Sequence, residues 1–203
     1  MEKTIFLFTR HPGRTRADFA EHYVTHHAVL GRTLVRCAVG YSVSLNEREG
    51  WPDAVTEHWC TCAMDLLTPL KAYASQEDFE TVLADDRTMF AGFELHVANR
   101  EVEVVPAAPL PFIAGEPTGE FKTVTMLASA DDLPPPPPGA RRVVDSHVSH
   151  KLVHAGEGRF EAVPSDIAVF RMAWGPDAAS LGTPGSLLVR EYCQIAAPAP
   201  GWA

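Results

Sequence analysis

Five consecutive prolines, Pro134 to Pro138, followed by Gly139, constrain this chain more than any other stretch. They cannot form a helix interior, because each proline lacks a backbone donor and its ring clashes with the preceding turn. They lie between two β-prone segments, Phe121 to Ala128 and Arg142 to His154, where the first half of the chain carries its leading helix. The sequence therefore reads as two halves with the same strand order and different helix content.

The first half sets the pattern. Thr4 to Thr9 is apolar and β-prone, and His11-Pro12-Gly13 turns the chain. Thr15 is the expected N-cap of a helix, with Asp18 completing an acidic variant of the capping box. Phe19, Tyr23, Leu30 and Leu34 then recur on one face of a 3.6-residue period. His26 and His27 fall at or beside the gap in that stripe, His26 nearer its centre. Val39, Tyr41, Val43 and Leu45 alternate with small and polar residues as a strand does, and Ala54 to Ala63 reads as the next strand. Leu66, Leu67, Leu70 and Tyr73 return to helical spacing. Ser75 with Asp78 opens another helix through Phe79, Val82 and Leu83, and Phe93 to Val105 alternates again. The order over residues 1–105 is β-α-β-β-α-β, the split βαβ unit of ferredoxin-like folds.

Residues 106–120 form a Pro/Ala-rich linker. Residues 121–203 give a fainter copy, with strands expected over Phe121 to Ala128, Arg142 to His154, Asp166 to Trp174 and Ser186 to Ile195. Its second helix shrinks to Asp177 to Leu181. A four-stranded sheet with helices on one face leaves the other face bare, and two such sheets can cover each other. The expected fold class is α+β: a ferredoxin-like tandem repeat closing as a barrel-like pseudo-dimer within one chain.

A net charge of −9 over 203 residues, with no basic cluster, argues against nucleic acid or anionic membrane as a partner. No run of about 18 apolar residues suggests a transmembrane helix. The N-terminal MEKTIFLFTRHPG reads as a strand and not a signal peptide, so a cytoplasmic location is expected. Cys60 and Cys62 share a strand face beside His58 but lack a usual zinc spacing, and with Cys37 and Cys193 they read as structural thiols. There is no phosphate loop, nucleophile elbow or Rossmann glycine fingerprint.

Several motifs of the first half resemble an EthD-domain protein. Arg10-His11-Pro12-Gly13, Asp18-Phe19, Tyr23 and His27-Ala28-Val29-Leu30 are similar to that family's basic-Pro-Gly turn, aromatic helix and His-Ala-Pro-Leu motif, with Val29 where the family usually has proline. Asp53 to Trp59 resembles its Asp-Gly-Val-Ala-Glu-Leu-Trp strand, and Ser75-Gln76-Glu77, Asp85-Asp86 and Phe90 resemble later segments. The likeness covers roughly residues 3–105. It implies a dimeric α/β-barrel, a superfamily that includes cofactor-free oxygenases of aromatic polyketides, cyclases, isomerases, dehydratases and haem-binding enzymes, so it implies no single reaction.

His27 matches the family's histidine, and a neutral imidazole can move the proton that enolisation or dehydration requires. His26 is the alternative base, and either histidine can instead serve packing. Asp85 matches a family position and would orient a histidine, or simply finish its helix. Tyr41 is a candidate donor to a developing enolate oxygen, or core packing. Phe19, Tyr23, Trp59 and Phe90 are the expected pocket lining. His22 and His26, at i and i+4, have a metal-holding spacing, but no third ligand declares itself and no metal is expected. No cofactor is expected; haem with a histidine ligand is conceivable, but no attachment motif indicates it.

The favoured activity is a cofactor-independent acid/base enzyme of the lyase type, a dehydratase or cyclase, acting on a hydrophobic aromatic or polyketide-like carbonyl compound. The alternatives are an EthD-type oxidoreductase (a cofactor-free oxygenase or a partner in a monooxygenase system) and a non-catalytic small-molecule binder. The expected partner is a small hydrophobic substrate, and a homodimer stays open.

Overall fold

The computed structural model describes residues 1–108, 110–156, 158–182 and 184–198. The chain starts with β1 (Glu2–Arg10), followed by α1 (Arg16–His22), a π-helical turn (Tyr23–His27) and α2 (Ala28–Leu34). Next come β2 (Ala38–Asn46), β3 (Ala54–Cys60), α3 (Ala63–Leu66), α4 (Pro69–Ala72), α5 (Gln76–Met89) and β4 (Phe90–Val105). The second half contains β5 (Phe121–Leu127), β6 (Arg142–Gly156), β7 (Arg159–Val163), β8 (Val169–Gly175), α6 (Ala178–Leu181) and β9 (Leu187–Ile195).

All strand pairs are antiparallel, and eight strands close in the order β4-β1-β3-β2-β9-β5-β8-β6, with β6 returning to β4. With β7 set aside as an extra hairpin strand on β6, both halves use the same internal order, and the β2–β9 and β4–β6 pairs join them. This is the expected tandem ferredoxin-like barrel. The prolines follow a short 3₁₀ turn and lie outside any helix or strand, Pro134 to Pro137 in an irregular connection and Pro138 in a turn with Gly139, as their chemistry requires. The sequence did not anticipate β7. Its pairing to β6 places His154 against Phe160 and means that β6, with its histidines, is not a sheet edge.

Two cores follow from strand alternation. Ile5, Leu7, Val55, Val124, Phe170 and Met172 meet inside the barrel. Phe6, Phe8, Tyr41, Val43, Leu95 and Val97 point outward, where Phe19, Tyr23 and Ala28 of the leading helix cover them. β1 and β3 are thus buried on both faces from Lys3 to Phe8 and from Ala54 to Cys60. The polar face of β2 also turns inward: Ser42 donates to Glu57 Oε2 at 3.2 Å. Among the described residues no helix is long and apolar enough to cross a membrane.

Candidate active site

The leading helix is capped as its sequence predicts, with Thr15 Oγ1 accepting from the Asp18 backbone N–H at 3.1 Å. Its interior departs from a regular α-helix. The π-helical turn over Tyr23–His27 holds an extra residue per turn, which keeps residue 27 on the face that Phe19 and Tyr23 begin. His27 is consequently buried, with a side chain 9% exposed, whereas His26 faces outward at 57%. On a regular helix His26 would lie nearer the centre of the apolar stripe, so the expected order of the two histidines is reversed.

Ser75 caps α5 by accepting from the Asp78 N–H at 3.1 Å, and this helix delivers Asp85 to the histidines. Asp85 Oδ2 accepts from His27 Nδ1 at 2.8 Å, and its Oδ1 accepts from His22 Nε2 at 2.7 Å. His26 Nε2 lies 3.8 Å from the same Oδ1. Burial alone would raise the Asp85 carboxyl, but the hydrogen bonds from His27 and His22 outweigh it and hold the group at about 2. Asp86, with Oδ1 3.7 Å from His27 Nε2, is pushed up to about 6, first by burial; attraction to His27 opposes this and repulsion from Asp85 adds to it. Its side chain remains 40% exposed, so water screens part of that shift.

The predicted aromatic lining divides between the two cores. Tyr23, Phe19 and Phe90 pack edge-to-face beside His27, with Tyr23–His27 centroids 5.0 Å apart and His27–Phe90 centroids 5.1 Å apart. Trp59 lies on the other side of the sheet, inside the barrel, where its Nε1 donates to Glu101 Oε2 at 3.1 Å. The histidines of the leading helix sit outside the barrel wall, because the helices cover the outer face of the sheet.

Tyr41 is 2% exposed and stacks on His58, its register partner on β3, with centroids 4.4 Å apart and an interplanar angle of 9°. Gly31 makes room for this phenol, since a Cβ there would stand 3.0 Å from the ring. Burial and the nearby Asp86 raise the Tyr41 phenol well above its ordinary value, so it stays protonated. His58 Nδ1 is buried with no hydrogen-bond partner among the described residues. Burial, then repulsion from His27, lowers His58 to about 3 despite the attraction of Glu57. The sequence reading missed His58 as a site candidate and considered it only beside the cysteines. The available signal was its opposite parity to Glu57 and Trp59, which puts it on the same side of the sheet as Tyr41.

The barrel interior holds a second polar cluster. Lys3 contacts Glu57 and Glu101, both at 2.6 Å, while Lys122 contacts Glu57 closely and Glu191 at 2.7 Å. A cavity of about 390 Å³ opens beside it, lined by Trp59, Trp174, Phe112 and Thr118 among others. The buried lysines and glutamates pair with one another, the arrangement expected of a structural network.

A closed eight-stranded antiparallel sheet with helices packed outside defines a dimeric α/β-barrel fold, here with both halves in one chain. An anthrone oxidase-like protein of known structure shares it, with a TM-score of 0.55 and 11% identity over 96% of this chain and 91% of that one. A chlorite dismutase-like protein overlaps with a TM-score of 0.46 and 13% identity over 94% of each chain, too loosely to argue from. No protein-family model and no curated protein matches the sequence. These likenesses concern the fold, and the EthD resemblance rests on the first-half motifs alone.

Proposed function

We propose that the protein is a cofactor-independent acid/base enzyme, a dehydratase or cyclase, acting on a hydrophobic aromatic or polyketide-like carbonyl compound. The observation that carries this reading is the 2.8 Å contact between His27 Nδ1 and Asp85 Oδ2. With its Nδ1 proton given to that carboxylate, the ring is fixed in the tautomer that leaves the Nε2 lone pair as the base. Abstraction of a proton next to the substrate carbonyl builds negative charge on its oxygen. Tyr41, held protonated by burial, is the donor for that oxygen. The unpartnered His58 Nδ1 offers a second polar contact, and Phe19, Tyr23 and Phe90 supply an apolar, aromatic wall.

The test is His27→Gln, which keeps a donor for Asp85 but removes the base. With aromatic and polyketide-like ketones as substrates, turnover falls by about 10²–10⁴, the usual reach of one acid/base group, while the melting temperature moves little. Equal turnover by the two proteins would end the assignment.

A second reading, oxidation of the same substrate class, takes its support from the fold likeness to the anthrone oxidase-like protein. Deprotonation by His27 would be its first step as well. Substrate-dependent oxygen uptake favours it, and product formation under argon favours the lyase.

A further inference from the structure

We propose that His22, His26 and Asp85 form a binding site for one divalent transition-metal ion of the zinc class. The sequence offers two histidines at i and i+4 and no third ligand; the fold supplies that ligand from a different helix, α5. One ring nitrogen of each histidine and an Asp85 carboxylate oxygen all lie within 4.8 Å of one another.

The spacing suits such an ion. Tetrahedral ligands about 2.0–2.1 Å from zinc stand about 3.3 Å apart. Asp85 Oδ1 lies 2.7 Å from His22 Nε2 and 3.8 Å from His26 Nε2, so the two distances bracket that value. Reaching it requires only small side-chain rotations, and His26, 57% exposed, has room to make them. The His22 and His26 rings, one helical turn apart, stand with centroids 4.9 Å from each other.

Asp85 is already oriented for ligation. Its Oδ2 is held by His27 Nδ1, the kind of outer partner that fixes a ligating carboxylate, while Oδ1 faces the two histidines. Two imidazoles select zinc, cobalt, nickel or copper over magnesium and calcium, which prefer all-oxygen sites. The partial exposure of His22 and His26 leaves water to complete the coordination. The inference is independent of the acid/base reading, because binding is measured without substrate and turns on His26, which that reading does not use.

The experiment is calorimetric titration of the untagged, EDTA-treated full chain with Zn²⁺, and with Co²⁺ followed by its visible spectrum. The expected result is one equivalent bound, retained in millimolar Mg²⁺, with affinity lowered at least about tenfold by His26→Ala. His26 is exposed, so its replacement leaves the fold intact, and His150→Ala on β6 serves as the control that leaves binding unchanged. Absence of binding, or binding that His26→Ala and His22→Ala both leave unaltered, overturns the proposal.

Discussion

His58 carries an energetic cost that reveals what it is for. A buried imidazole nitrogen without a partner costs about 1–3 kcal/mol, and a phenylalanine of similar shape would avoid this. His58→Phe should therefore stabilise the protein by roughly 1–2 kcal/mol in urea unfolding while lowering turnover. Loss of stability with unchanged turnover would instead mark the residue as packing. The pH dependence follows from the same residue. Its pKa is about 3 in the fold and near 6.5 in the unfolded chain, so between those values the unfolded state binds a proton that the native state does not. Stability therefore rises with pH across that window, by about 1.4 kcal/mol per unit from this group alone. Glu57 acts in the same direction at lower pH. Burial would raise its carboxyl, but Lys122 and Lys3 bring it down to about 2 from an ordinary 4.5, so its contribution is complete above about 4.5 and fades as pH falls toward 2. The protein should be acid-labile, and His58→Phe should flatten the slope between about pH 3 and 6.5 while leaving the contribution of Glu57 below about pH 4.5 in place, as read from unfolding midpoints.

At the level of elements, capping and alternation were legible and helix register was not. Thr15 and Ser75 cap the helices where their sequence patterns place them, because a capping side chain satisfies orphan donors only a few residues away. Ser75→Ala should thus cost about 1 kcal/mol in urea unfolding, since it leaves an α5 N–H without its acceptor. The inversion of His26 and His27 was hidden because a π-helical turn has no local residue signature; it arises where tertiary packing wins over regular winding. Here the winning contacts are Tyr23 on Thr56 at 2.6 Å and His27 on Asp85. Asp85 was visible only through the family resemblance, since 58 residues separate it from His27 and nothing local announces the pair. The inward-facing Ser42 was hidden for a related reason. A polar strand face looks solvent-exposed until a second half of the chain closes over it.

For the whole molecule, duplication is legible in side chains that the sequence order does not align. Lys3 on β1 lies over Trp59 at 4.5 Å, and Lys122 on β5 lies over Trp174 at 4.8 Å. Trp59 donates to Glu101 at 3.1 Å, and Trp174 to Glu191 at 2.7 Å. Each half therefore places a Lys-Trp-Glu set in the barrel. The symmetry breaks two residues before each tryptophan, where β3 has Glu57 and β8 has Met172, whose sulfur lies 3.6 Å from Lys3. Glu57 bridges both lysines, so the network contains three carboxylates for two ammonium groups. Glu57→Met would restore the symmetry and leave two neutral pairs, Lys3–Glu101 and Lys122–Glu191. Lys122→Met instead leaves three buried carboxylates, Glu57, Glu101 and Glu191, with only Lys3 to offset them. Removing one partner of a buried pair costs about 3–5 kcal/mol, whereas replacing charge with well-packed apolar volume is often close to neutral. In urea unfolding Lys122→Met should fall in that range and Glu57→Met well below it. Equal losses would mean that Glu57, and not the repeated pair in each half, holds the interior together, and the barrel would then depend on the residue that breaks its symmetry.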